Sequence, residues 1–217
     1  TSYAAPSTAL AGPDQTVCVT NGSLSAATPA TGTGSWTAAG PAIIGSPSLP
    51  SSPVSGLSIG LNTFIWTVTN GVCAPSSASV HITRLAFPGP AFAGSGQTIC
   101  SPAATLAATS PTTGAGTWSI ASGQATIASP ASNTTAISVG TGTNVFVWNV
   151  THGICPALSD TAVIIRDALP DAAVAGPDAT ICAASATVTA NAPQTGQGLW
   201  TLASGAASIA SASSTIA

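Results

Sequence analysis

The chain has 217 residues, only 3% of them charged: two arginines, five aspartates, no lysine and no glutamate, for a formal net charge of −3. That balance excludes a basic surface for nucleic acid or anionic lipid. No apolar run reaches the roughly 18 residues a bilayer span requires.

Read in chain order, the conspicuous residues come back at one spacing. Cys18, Cys100 and Cys182 lie 82 residues apart, as do Trp36, Trp118 and Trp200. Cys73 and Trp66 recur in the same way at Cys155 and Trp148, and Arg84 recurs at Arg166. A fixed period of this kind marks one small fold copied along a line. The register divides the chain into Thr1–Ala4 as the tail of a preceding repeat, Ala5–Ala86, Phe87–Ala168, and Leu169–Ala217 as an incomplete third copy. The second cysteine of that third copy would fall past residue 217, so Cys182 is expected to be unpaired by truncation.

Within a repeat, Thr16–Cys18, Ser23–Ala27, Ser35–Ala38 and the stretch around Pro53–Leu57 are strand candidates punctuated by Gly, Pro, Ser and Thr. Thr63–Thr69 alternates with period two and puts Phe64, Trp66 and Val68 on one face; Phe146, Trp148 and Val150 repeat the pattern. Asn70-Gly71 then signals a hairpin turn, with His152-Gly153 in its place one repeat later, and a return strand runs through Ser79–Thr83. No segment has an amphipathic helical pattern. Six or seven short strands in 82 residues predict an all-β chain, a tandem array of immunoglobulin-like β-sandwich domains.

The cysteine arithmetic suits an oxidising compartment. Zinc sites want close ligand spacing, whereas these cysteines sit far apart and neither His81 nor His152 recurs. The reading pairs each repeat with itself, Cys18 with Cys73 and Cys100 with Cys155, each closed loop contributing about 4 kcal/mol in the chain-entropy model. The five tryptophans, Trp36, Trp66, Trp118, Trp148 and Trp200, are assigned to cores because all fall at repeated positions in strand patterns. The phrase P-x-T-G-x-G-x-W, at Pro29–Trp36, Pro111–Trp118 and Pro193–Trp200, lacks the following helix a phosphate cradle needs and reads as a tight bend feeding a core strand.

The phrases A-G-P-D-Q-T-V-C (Ala11–Cys18), A-G-S-G-Q-T-I-C (Ala93–Cys100) and A-G-P-D-A-T-I-C (Ala175–Cys182), with N-T-F-I-W-T-V-T-N-G-V-C (Asn62–Cys73) and N-V-F-V-W-N-V-T-H-G-I-C (Asn144–Cys155), carry a resemblance. The chain resembles the Ig-like or PKD-like tandem repeats of giant secreted surface proteins of Bacteroidota. The resemblance implies export to the cell surface, commonly by the type IX route, and a role as stalk, filament or adhesin, including the gliding-motility class. It brings no catalytic residues. Asp160-Thr161-Ala162 is similar to the O-glycosylation signal of such organisms, making Thr161 a candidate modification site.

No Ser-His-Asp set or carboxylate pair recurs from copy to copy, and Asp14 and Asp178 align with Gly96, so no catalytic site, metal or cofactor is expected. The expected partners are neighbouring repeats of the same chain, lateral copies in a fibre, and glycans. A polysaccharide- or surface-binding module and a strand-exchanging fibre protomer are the alternatives, the first living on the loops around Ala39–Ser52 and Ala121–Thr134, where repeats differ most.

Overall fold

The structure is a computed structural model and describes residues 3–213. Fourteen strands form among them: β1 (Gln15–Val17), β2 (Gly22–Ser25), β3 (Thr33–Ala38), β4 (Ile43–Ile44), β5 (Ser51–Ser55), β6 (Gly60–Thr69), β7 (Ser76–Arg84), β8 (Gln97–Ile99), β9 (Ala103–Ala107), β10 (Ala115–Ser122), β11 (Ala125–Ile127), β12 (Thr134–Val139), β13 (Gly142–His152) and β14 (Cys155–Arg166). They assemble into two sandwiches of seven strands each. In the first, the four-stranded sheet β1-β7-β6-β3 faces the three-stranded sheet β2-β5-β4; in the second, β10-β13-β14-β8 faces β11-β12-β9. Taking β2, β3, β4, β5, β6 and β7 as strands B to G gives sheets B-E-D and C-F-G, the order of an immunoglobulin-like sandwich. The chain is therefore all-β, a tandem array of immunoglobulin-like β-sandwiches repeating at 82 residues.

One pairing decides the geometry that follows. The short first strand of each sandwich runs parallel to the last: Gln15 faces Ile82 and Val17 faces Arg84, while Gln97 faces Ile164 and Ile99 faces Arg166. Cys18 thus emerges where β7 ends.

Alternation along β6 buries Phe64, Trp66 and Val68, and along β13 Phe146, Trp148 and Val150. Each inner tryptophan packs on the one across the sheet, Trp36 with Trp66 at 5.0 Å between ring centroids and Trp118 with Trp148 at 5.1 Å, both tilted. The indole N–H groups of Trp66 and Trp148 have no hydrogen-bond partner. An unmade bond of this kind costs about 1–3 kcal/mol. Burying an indole of about 200 Å² contributes roughly 5 kcal/mol, which outweighs it.

The T-G-x-G-x-W phrase now has a structural cause. Gly32 takes φ +98° against the Thr69 carbonyl, and Gly34 lies so close to the Trp66 indole that no Cβ would fit; Gly114 and Gly116 stand to Thr151 and Trp148 in the same way. The two arginines are also structural. Arg84 Nη1 donates to Leu57 O at 2.8 Å and Arg166 Nη1 to Val139 O at 3.0 Å.

The repeats diverge at a β-bulge. In β10 the register with β13 skips one residue between Ile120 and Ser122, whereas β3 pairs with β6 without a break. Downstream contacts shift by one position: Ser46 N–H donates to Ser52 Oγ, and its counterpart is Ser129 N–H to Thr135 Oγ1. The period of 82 is restored by Asn62 and Asn144.

Trp200 departs from the expectation of a core residue. It is only half-buried, and the described residues 167–213 contribute no strand to pack on it as β6 and β13 pack on Trp36 and Trp118. Instead Pro170, Val174, Leu199 and Trp200 help line an open groove of about 520 Å³. Gly198, the counterpart of Gly34 and Gly116, has no atom within 4 Å of where its Cβ would be.

Candidate functional site: the junction between sandwiches

The expected cysteine pairing is overturned. Cys18 is bonded to Cys155, with a Cα–Cα distance of 5.5 Å and a sequence separation of 137; Cys73, Cys100 and Cys182 are free. The reason is the parallel pairing of β1 with β7. Cys73 sits in the turn before β7 and Cys18 beside its far end. Nine residues of strand separate the two by about 30 Å, and a disulfide tolerates about 7 Å between Cα atoms at most. The same argument parts Cys100 from Cys155 across β14. The reachable partner is the hairpin turn of the next sandwich, and the bond crosses the junction.

The junction is built from the linker that follows Arg84. Leu85 N–H donates to Val17 O at 2.8 Å, fixing the chain where it leaves the first sandwich. The Leu85 side chain then lies over Gly153, whose φ of +56° and missing side chain leave it room. His152 Nδ1 hydrogen-bonds Ala86 O at 2.8 Å, and Cys155 Sγ lies 3.5 Å from the same oxygen. Further on, Gly89 N–H donates to Thr113 O at 2.9 Å. The β13–β14 turn, the linker and Cys18 thereby form one connected unit, with Cys155 buried at 6% exposure.

The linker contacts of the β13–β14 turn have counterparts 82 positions earlier, on the β6–β7 turn. Tyr3 lies over Gly71 as Leu85 lies over Gly153. Asn70 Nδ2 donates to Ala4 O at 2.8 Å, and Cys73 Sγ is 3.4 Å from that oxygen. Ser7 N–H donates to Thr31 O at 3.0 Å. At the other end of the second sandwich, Asp167 N–H donates to Ile99 O at 2.8 Å, matching Leu85 and Val17, and leaves Cys100 exposed beside it.

The remaining singled-out residues lie elsewhere. Trp36, Trp66, Trp118 and Trp148 are buried in the two cores. Thr161 is exposed on β14, next to Asp160, whose Oδ2 accepts Ala93 N–H at 2.9 Å. That bond, with a second from Thr161 N–H, holds the Asp160 carboxyl below its ordinary range. Asp160 therefore pins the segment before β8 onto the edge of β14. In the first sandwich Asp14 makes a corresponding tie from the other side, accepting His81 N–H at 2.8 Å with the His81 ring 3.3 Å away.

The chain matches no family model and no curated relative. Among solved structures it is similar to the insect immune protein hemolin, at 11% identity over 75% of this chain with a TM-score of 0.43, and it spans 47% of the hemolin chain. It is also similar to a complex of Dpr2 Ig1-Ig2 with DIP-Theta Ig1-Ig3, at 11% identity over 76% of this chain and 67% of that one with a TM-score of 0.41. Fibronectin(III)-like modules of Clostridium thermocellum CbhA match at 10% identity over 73% of this chain and 91% of theirs, with a TM-score of 0.38. The superpositions are loose, and the class rests on strand order: tandem immunoglobulin-like sandwiches, here with a covalent bond across their junction.

Proposed function

We propose that this chain is a structural segment of a long extracellular filament, stalk or surface fibre of adhesin type, with repeats dividing at residues 5–86, 87–168 and 169–217. The observation that carries the reading is the Cys18–Cys155 bond across the junction. A bond there, together with the linker contacts of Leu85 and Ala86, removes hinge freedom between neighbours. It also belongs to an oxidising compartment, which favours a location outside the cytosol. Burial of Trp36, Trp66, Trp118 and Trp148 takes those rings from any sugar-stacking role and favours the structural reading over a polysaccharide-binding one. The edge strands β3 and β10 carry no charged residue, which supports lateral association of copies into a fibre. A glycan at the exposed Thr161 would supply the solubility that charge does not, and intact mass measurement of native material tests it.

Small-angle scattering of the oxidised chain tests the filament reading. The expected form is an elongated particle whose two sandwiches keep one relative orientation; a collapsed or freely hinged pair would sink it.

A strand-exchanging protomer is favoured by a separate observation. The groove beside Trp200 has open space at Gly198, where the corresponding Gly34 and Gly116 meet the indoles of Trp66 and Trp148. It would accept a β-hairpin bearing Phe-x-Trp-x-Val on one face. A synthetic Gly142–Arg166 peptide should quench Trp200 exposure to acrylamide if the groove takes such a hairpin, and leave it unchanged otherwise.

A further inference from the structure

We infer that the Cys18–Cys155 bond is a strap that carries tension along the array past the bodies of both sandwiches. The inference rests on the filament reading and adds a mechanical role to it.

The route of a pulling force follows from topology. Tension entering at the N-terminal end runs along β1 to Cys18, crosses the disulfide to Cys155, and runs along β14 to Arg166 before leaving through Asp167. β1 and β14 are already extended, so this route has little slack. Strands β2 to β7 of the first sandwich and β8 to β13 of the second lie off it.

Without the bond, force would act between β1 and β7, and between β8 and β14. These strands are parallel neighbours pulled from opposite ends, with three paired positions in each ladder, Gln15, Thr16 and Val17 with Ile82, Thr83 and Arg84, and Gln97, Thr98 and Ile99 with Ile164, Ile165 and Arg166, flanked by the ties of Asp14 to His81 and Asp160 to Ala93 and by the bonds of Leu85 to Val17 and Asp167 to Ile99. Force on either ladder would load these few bonds directly. The bond sits where it relieves both ladders at once, since Cys18 directly follows β1 and Cys155 opens β14. A bond within one sandwich would relieve one ladder at most.

Cys73 stands against Ala4 O as Cys155 stands against Ala86 O, so the first sandwich presents the receiving half of the same strap at its own hairpin turn. In an array of further copies at the same offset, tension would pass along first and last strands alone.

Single-molecule stretching of the 217-residue chain held at its termini tests the strap. The sequence separation of 137 residues corresponds to about 45–49 nm of fully extended chain. The oxidised chain should never release that length, and the same chain in dithiothreitol should release it as the sandwiches unfold. The Cys155→Ser variant should behave as the reduced chain without added reductant. Release of the full length by the oxidised chain, or equal total lengths with and without reductant, would overturn the strap. Scattering on the same sample separates the two proposals: a hinged pair that still withholds the length leaves the strap standing and removes the rod.

Discussion

Gly116 lies flat against the indole of Trp148, so close that a side-chain carbon would overlap the ring, and Gly34 stands to Trp66 in the same way. The second glycine of the first two T-G-x-G-x-W phrases is thus the surface on which the inner tryptophan rests. Gly116→Ala should lower stability of the second sandwich by about 1–3 kcal/mol through overpacking, read as a drop in the thermal midpoint. Gly198→Ala, made in open space, should leave it within about 0.5 kcal/mol. Equal effects from the two substitutions would contradict the packing account.

Arg166 closes the second sandwich by donating to the Val139 carbonyl, as Arg84 does to Leu57. Arg166→Ala leaves that carbonyl without its partner, at a cost of about 1–3 kcal/mol. A urea titration should show the second sandwich unfolding earlier while the first keeps its midpoint. A uniform shift of both transitions would argue against a local role.

Asp160 accepts two backbone N–H groups, Ala93 foremost, and its folded carboxyl titrates below its ordinary value of 3.8. A depressed folded value means that the ionised form stabilises the fold. That contribution is complete above 3.8 and is lost as pH falls through the folded value. Stability of the wild-type chain relative to Asp160→Asn should therefore be constant at neutral pH and decline only in acid below about pH 4. A difference that shrank toward alkaline pH, or stayed unchanged through the acid range, would be inconsistent with the geometry.

The fold was legible because its signals are local. Alternation in Thr63–Thr69 places Phe64, Trp66 and Val68 on one face, and Asn70-Gly71 turns the chain where β6 gives way to β7. The two-residue strand β4, Ile43–Ile44, leaves no mark in the sequence, being too short for any periodicity to show. The bulge at Ala121 was visible only as divergence between repeats, since a strict offset of 82 misaligns every residue between the extra position and its compensation.

The cysteine partners could not be read from spacing. Both pairings obey the same arithmetic, and only the direction of β1 relative to β7 separates them. A first strand antiparallel to the last would have ended near the β6–β7 turn and brought Cys18 toward Cys73. Parallel pairing sends it to the far end. The signal that could have exposed this lay in the linker: Leu85 and Tyr3, bulky residues 82 apart, each fill the space over a turn glycine, and so mark where one sandwich meets the next turn.

Trypsin offers the most direct test of the central claim, that the disulfide joins neighbouring sandwiches. The chain has two cleavage sites, after Arg84 and Arg166, which separate Cys18 and Cys73 from Cys100 and Cys155. Digestion of the unfolded chain without reductant, its free thiols blocked, should yield fragments 1–84 and 85–166 as one linked species that splits on reduction, with Cys73, Cys100 and Cys182 carrying the blocking group. Two unlinked fragments, each holding an internal bond, would contradict the account.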